Sequence, residues 1–289
     1  MLKAAKIYGF YIGYDYMSVV SRSIDTPIVT PLFIHPFDKT RDRNSEIVSA
    51  FNTIISGKHI RTKKASAAVI SFEAPENILF VTDVAEEVGD ITEMMSWELF
   101  IRIGEPVKDY NISTFRIHEN RHIVFAVKQK DIEFFTNQIS RIGLQTITIE
   151  PPIVSAINLF ESNYDVAGEA LVALAGRHKI VVAYIKNGDV IDIAQQTIPA
   201  SELITSDDVL KIRAEISAKH SISKDVVLYL TGDLLADMEY SDILSDDIRN
   251  CSYIDPFKCI NINYDSSKEL MDKYSFAFGV AVSLSQKMV

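Results

Sequence analysis

Along the chain, apolar residues recur with a period of two over short stretches and of 3.6 over longer ones, and the switches between the two periods mark out elements. Lys6 to Val20 (KIYGFYIGYDYMSVV) holds two strand-like runs with a bend at Gly13-Tyr14. Ile28 to His35 (IVTPLFIH) is a third, and Pro31 inside it, with no N–H to donate, predicts an edge strand. Asn44 and Ser45 are N-cap types, and Glu46 opens a helix whose apolar residues Ile47, Ala50, Phe51, Ile54 and Ile55 form one stripe. Ser56-Gly57 stops it. Strands are predicted over 67–72, 77–82, 110–118, 122–128 and 146–150. Helices are predicted over 92–102, over 131–142 with Gly143 as its C-cap, and from Pro152 to Phe160. Strands over 170–174, 180–186 and 190–195 follow, the last two joined by Asn187-Gly188, a strong hairpin signal. Next come a helix over 206–218, a short parallel-type strand VVLYL over 226–230, a helix from Leu234, and a closing apolar helix from Ser267 to Ser283.

Hairpins, then a helix, then a strand occur near residues 6–72 and again near 170–230, without any repeat of the sequence itself. That order predicts an α/β protein of two related lobes, 1–165 and 166–289, with a separate unit over about 80–143 inside the first. The final helix is expected over about 267–285.

Composition narrows the function classes. The 289 residues are 47% hydrophobic and 24% charged, the balance of a folded globular chain. A net charge of −10, from 39 acids and 29 bases, argues against nucleic acid as a partner. The longest basic run, Arg61 to Lys64, is short and reads as a solvated turn. No apolar run reaches the roughly 18–20 residues that cross a bilayer, and MLKAAKIYGF has no leader-like apolar core, so a cytoplasmic chain is expected. Cys251 and Cys259 are eight apart, a spacing of neither a zinc pair nor a redox pair. His118 and His122 straddle a polar turn and read as turn histidines rather than metal ligands. The metalloprotease H-E-x-x-H, the serine elbow G-x-S-x-G and the P-loop are all absent.

Seven stretches, in order, carry a resemblance. They are GFYIGYDYMSVV; MMSWELFIRIGEPVKDY with Trp97-Glu98, Glu105-Pro106 and Asp109-Tyr110; FFTNQISRIGLQTITIEPP; ALVALAGRHKIVVAYIKNGDVI; VVLYLTGDLL; DPFKCINI; and YSFAFGVAVSL. Together they resemble the PilM family, actin-like proteins of type IV pilus assembly related to FtsA. The resemblance implies an actin-like (ribonuclease H-like) two-lobe α/β fold, with 80–143 as the inserted FtsA/PilM-type subdomain. Only Ser201 to Lys224 lies between the second hairpin and the adenosine loop, which implies a reduced subdomain in the second lobe.

In that family two hairpin bends hold nucleotide phosphates, and an aspartate on each hairpin directs Mg²⁺. Here Tyr11 and Ala173 stand at the two aspartate positions. Gly13 is kept, but Tyr14, Asp15 and Tyr16 follow it. Gly176 is kept, but Arg177 and His178 follow. Thr231, Gly232 and Asp233 stand at the adenosine loop. Asp15 is the one candidate substitute for a metal-directing acid. Arg177 reads as an exposed turn arginine, or else as a phosphate partner.

The resemblance therefore implies a degenerate nucleotide site with no catalytic residue, no metal and no bound cofactor, ATP and Mg²⁺ being disfavoured. The expected function is a non-catalytic scaffold of a type IV pilus or type II secretion-like machine, peripheral at the inner membrane. It would grip the cytoplasmic N-terminal segment of a PilN-like inner-membrane protein, in a groove between the first lobe and the inserted subdomain, with a ring of several copies as a further option. Two alternatives stay open: an ATPase or kinase-like enzyme with a rearranged Mg-ATP site using Asp15, and an FtsA-like filament former. Asp83, Glu86, Glu87, Asp90 and Glu93 read either as a solvated helix start or as a docking face for a basic tail.

Overall fold

A computed structural model describes residues 6–23, 28–60, 62, 66–74, 76–84, 91–118, 120–165, 167–199, 204–236, 248–263, 278–279 and 281–282. In chain order the elements are β1 Lys6–Ile12, β2 Tyr16–Ser23, β3 Ile28–Pro36, α1 Arg43–Gly57, β4 Ser66–Phe72, β5 Ile78–Asp83, α2 Ile91–Ile103, β6 Tyr110–His118, β7 Arg121–Lys128, α3 Gln129–Arg141, β8 Gln145–Glu150 and α4 Pro152–Asn163. The second half continues with β9 Glu169–Ala175, β10 Lys179–Lys186, β11 Asp189–Thr197, α5 Ser206–His220, β12 Leu228–Thr231, β13 Cys251–Tyr253 and β14 Asn261–Ile262.

Two sheets share one topology. The first runs β14-β3-β2-β1-β4-β8 and the second β11-β10-β9-β12-β13. In each, an antiparallel three-strand meander is extended on the side of its first strand by two parallel strands. The strands nearest each sheet's centre are buried on both faces (β1, β4, β9 and β10 almost throughout) and read as continuous apolar runs. Helix α4 is buried along most of its length, with Ile153, Ile157, Leu159 and Phe160 in the core that spans both sheets, and Phe278 and Val282 join that core. A third sheet, β5-β7-β6, carries α2 on a small core of Phe80, Met95, Leu99 and Val124. It is inserted between the fourth and fifth strands of the first sheet, its strands and α2 falling between residues 78 and 128.

Local departures from the sequence reading have physical causes. Helix α1 is capped by Asp42, whose carboxylate accepts from Ser45 N at 2.9 Å, two or three residues earlier than Asn44 or Ser45 would have capped it. Replacing Asp42 with alanine should cost about 1 kcal/mol, seen as a lower urea midpoint. Strand β3 is not at the edge, because β14 pairs with Ile28 and Val29. The proline is accommodated by a bulge, with Val19 opposite Phe33 and Val20 opposite Pro31. Asn187 and Gly188 both have positive φ, as the turn joining β10 to β11 requires. Beyond β12 the chain makes a 3-10 turn at Asp233–Ala236, and the rest of the helix expected from Leu234 lies outside the described residues. Most of the expected closing helix lies outside them as well, although 278–279 and 281–282 are helical. Strands β13 and β14, three and two residues long, carry no pattern that the sequence could display.

Candidate functional site

The bends of the two matching hairpins meet at the line between the first and second sheets. Each bend is closed in the same way, Gly13 N donating to Tyr16 O and Gly176 N to Lys179 O, both at 3.0 Å. The Tyr14 ring meets the His178 ring edge-on at 4.7 Å, and Arg177 forms an ion pair with Asp15. Lys39 stands 3.7 Å from the same carboxylate. Arg43, at the start of α1, donates to Gly13 O at 2.8 Å and to Glu73 O, and lies 4.9 Å over the Tyr14 ring. The bends are thus tied across the line by charge and ring contacts.

Beneath them lies a buried polar cluster. The Tyr11 hydroxyl reaches both Glu73 Oε1, at 3.0 Å, and Asp233 Oδ1. Asp233 Oδ2 accepts from Tyr14 N at 2.7 Å. Glu73 Oε2 has no hydrogen-bond partner among the described residues. Tyr11 sits on β1 and Glu73 directly after β4, so both belong to the first sheet; Asp233 follows β12 of the second. Tyr16 closes the cluster edge-on to Tyr11 at 5.7 Å.

Packing here is tight enough to dictate glycine. A Cβ on Gly13 would fall on the Asp233 carboxylate, and one on Gly176 would lie 2.6 Å from Glu73 Oε2. Gly232 has φ +124°, and its Cβ would lie 2.5 Å from Ala175 O, a backbone atom that has nowhere to go. The cavity bordered by Tyr14, Glu73, Asn77 and Lys179 measures about 40 Å³, room for little more than a water molecule.

Electrostatics follow from burial. Desolvation, then the charge of Asp233, pushes Glu73 up to about 8. Desolvation pushes Asp233 up to about 6, against the opposing pull of the Tyr11 hydroxyl and the Tyr14 N–H. Burial also drives the Tyr11 and Tyr16 phenols well above their ordinary value, with the Asp233 charge adding to it. Lys179 is lowered by burial, and it donates to Asn77 O at 3.0 Å. Near neutral pH, then, the cluster is a neutral phenol between a Glu73 that stays largely protonated and an Asp233 that is largely ionised.

Of the residues singled out in the sequence, Tyr11, Gly13, Tyr14, Asp15, Tyr16, Gly176, Arg177, Thr231, Gly232 and Asp233 gather at this junction. Ala173 is buried in β9 on the core of the second sheet. Asp15, the candidate metal acid, is taken up by Arg177 and Lys39. Arg177 is neither an exposed turn residue nor a free phosphate partner, but a half-buried link to the other bend. Sequence reasoning missed Glu73, Arg43, Asn77 and Lys179. Glu73 had a signal: an acid directly after the buried strand AAVISF stands at the carboxyl end of a parallel strand, where α/β sheets place their sites.

The acids near 83–93 do not form one described face. Asp83 pairs with Arg121 at 2.8 Å, and Glu93 lies in the first turn of α2. Glu86, Glu87 and Asp90 lie outside the described residues.

No protein-family model and no curated protein matches the chain. Solved structures do. A chain of the PilM-PilN type IV pilus biogenesis complex aligns with TM-score 0.67 and 15% identity, over 98% of both chains. A Bacteroides thetaiotaomicron protein with actin-like ATPase fold and unknown function aligns with TM-score 0.61 and 13% identity, over 93% of this chain and 96% of that one. The fold is that of the actin-like ATPases. The cytoplasmic domain of EpsL, an inner membrane component of the type II secretion system of Vibrio cholerae, aligns with TM-score 0.52 and 9% identity, over 98% and 94%. Among the described residues no helix is long and apolar enough to cross a membrane.

Proposed function

We propose that this chain is a non-catalytic scaffold of a pilus- or secretion-type assembly machine, with a nucleotide site that has been converted into an interlobe contact. The filled cleft carries the reading. Between the bends that the PilM-family resemblance assigns to phosphate stand Tyr11, two buried acids and the Asp15–Arg177 pair. Small-molecule sites are typically about 300–1,000 Å³, and the cavity beside the bends, lined by Tyr14 and Glu73 but by neither Asp15 nor Asp233, is about 40 Å³. A triphosphate would also meet the carboxyl groups of Glu73, Asp233 and Asp15, which are engaged by Tyr11, Tyr14 N and Arg177 rather than set to hold the Mg²⁺ that would neutralise it.

The partner side of the proposal rests on a groove. Asn111, Ser113 and Phe125 of the inserted sheet, Ile132 and Thr136 of α3, and 146–149 of β8 border a groove of about 350 Å³. Strands β6 and β8 are each the last in their sheet, and Ile147 is exposed. An extended segment adding to such an edge gains main-chain hydrogen bonds, with alternate side chains reading the apolar floor. A cytoplasmic segment of a membrane-anchored, PilN-like protein is the occupant this reading assigns, which would hold the chain at the inner membrane. The two structural neighbours named for a pilus complex and a secretion-system component favour it.

Calorimetry with ATP and ADP, each with and without Mg²⁺, is the test. No heat of binding is expected up to high micromolar concentration. Mg-dependent binding, or ATP turnover lost in Asp15→Ala, would overturn the scaffold reading in favour of an enzyme with a rearranged site.

A further inference from the structure

We propose that the outer face of α2 is a second docking surface, separate from the groove beside β8, and that it takes a basic amphipathic helix. The inference does not depend on the scaffold reading. Helix α2 buries Met95 and Leu99 against the inserted sheet, which satisfies its inner face. Its outer face is nevertheless apolar. Trp97 is 63% exposed, Phe100 43% and Ile101 74%, at spacings that place them on one ridge. With Ile91 they account for half of the eight large apolar side chains exposed among the described residues. The Trp97 and Phe100 rings meet edge-on at 6.1 Å. Pro106 and Val107, just after the helix, complete a shallow groove of about 450 Å³. A contiguous patch of this kind, rimmed by polar residues, marks an interaction surface, and a ridge with i, i+3, i+4 anchors suits a helix laid alongside it.

Charge selects the occupant. Among the described residues, α2 and the turn after it (91–109) hold four acids, Glu93, Glu98, Glu105 and Asp109, and two bases. Of the bases, Arg102 is bound to Glu98 at 2.8 Å and lies 4.2 Å over the Phe80 ring, so its charge is compensated within the subdomain. Lys108 lies on the groove together with Glu93, and Glu105 and Asp109 follow the helix closely. A second copy packed face to face would set acids against acids, and an anionic bilayer would set them against phosphates. A helix with leucine-type residues on one face and lysine or arginine on the other meets both demands.

Trp97 is the only tryptophan, so it reports on its own surface. The probe is an 18-residue Leu/Lys amphipathic peptide, with a Leu/Glu peptide of the same pattern as comparison. The full chain is titrated while Trp97 emission and the anisotropy of the labelled peptide are followed. The Leu/Lys peptide should bind, shift the emission to the blue and weaken with salt; the Leu/Glu peptide should not bind. Ile101→Glu should weaken binding about tenfold or more, as loss of a central anchor does. Ile55→Glu adds the same charge to exposed α1 and should leave binding unchanged or slightly tighter. That pair separates docking from general attraction to an acidic protein, which both variants would strengthen. Glu105→Lys, a surface change that keeps the apolar ridge, should weaken binding as well. Equal affinity in the Ile101 and Ile55 variants, equal binding of both peptides, or no binding would overturn the proposal. So would a blue shift of Trp97 caused by the chain's own dimerisation or by anionic vesicles in place of the peptide.

Discussion

Tyr11→Phe is expected to lower the stability of the chain by about 2–4 kcal/mol, one of two effects of like size centred on one cluster. The substitution removes only an oxygen and keeps the ring among its neighbours, so no sizeable cavity forms. What it removes is the single hydroxyl that reaches Glu73 on one side and Asp233 on the other. Asp233 keeps Tyr14 N, but Glu73 is left with its Oε1 unpaired beside an already unpaired Oε2. Buried polar atoms without partners cost their full desolvation energy, which exceeds the modest net value of the bond itself. Because Tyr11 and Asp233 come from different sheets, the loss also loosens the join between them. Urea unfolding of the two proteins at one pH measures the effect. A midpoint within error of the unsubstituted chain would show that the cluster is not an interlobe tie.

Stability is expected to fall as pH rises from about 5.5 to about 9, by about 2–4 kcal/mol. The sign follows from the direction of the shifts. Asp233 is raised to about 6 and Glu73 to about 8, whereas the unfolded chain releases both protons near the ordinary carboxylate range. Between those limits the native state holds more protons than the unfolded state. The contribution is complete below the ordinary range and is lost as pH passes first through about 6 and then through about 8. Asp38, Asp83, Glu169 and Asp192 are shifted downward and act in the opposite sense, their contribution being lost in strong acid. An optimum on the mildly acid side of neutrality results. Glu73→Gln keeps the shape and abolishes the titration, so it should flatten the upper part of the profile and be least harmful, or stabilising, at pH 9. The Tyr11→Phe defect should grow over the same interval, as both acids ionise without their shared donor. Urea midpoints at pH 5.5, 7 and 9 test this, and parallel profiles for the unsubstituted chain and Glu73→Gln would contradict it.

Much of the site could be read in the sequence. Gly13 and Gly176 were read as the glycines of the two bends and Gly232 as that of the adenosine loop, and Tyr11 and Ala173 stand where the resemblance puts aspartates. The pairings could not be read. Arg177 and Asp15 are 162 residues apart and Tyr11 and Asp233 are 222 apart, and nothing in either neighbourhood names the other. Asp15 looked available for a metal because its partners, Arg177 and Lys39, arrive from a different hairpin and a different loop. Glu73 looked like the ordinary polar end of a strand until the second sheet covered it.

The sequence by itself determined the elements and their order, since a period of 2 or 3.6 and the caps and turns that interrupt it are local properties of the chain. It also determined that the order occurs twice, and hence that two like sheets form. Only the tertiary structure decided that the two hairpin bends close on one another, that a phenol stands between two protonatable acids in the cleft, and that one face of α2 is left uncovered. Those outcomes depend on which distant surfaces exclude water from each other. Desolvation and long-range contact are set by the whole packed molecule and leave no periodic trace in the chain.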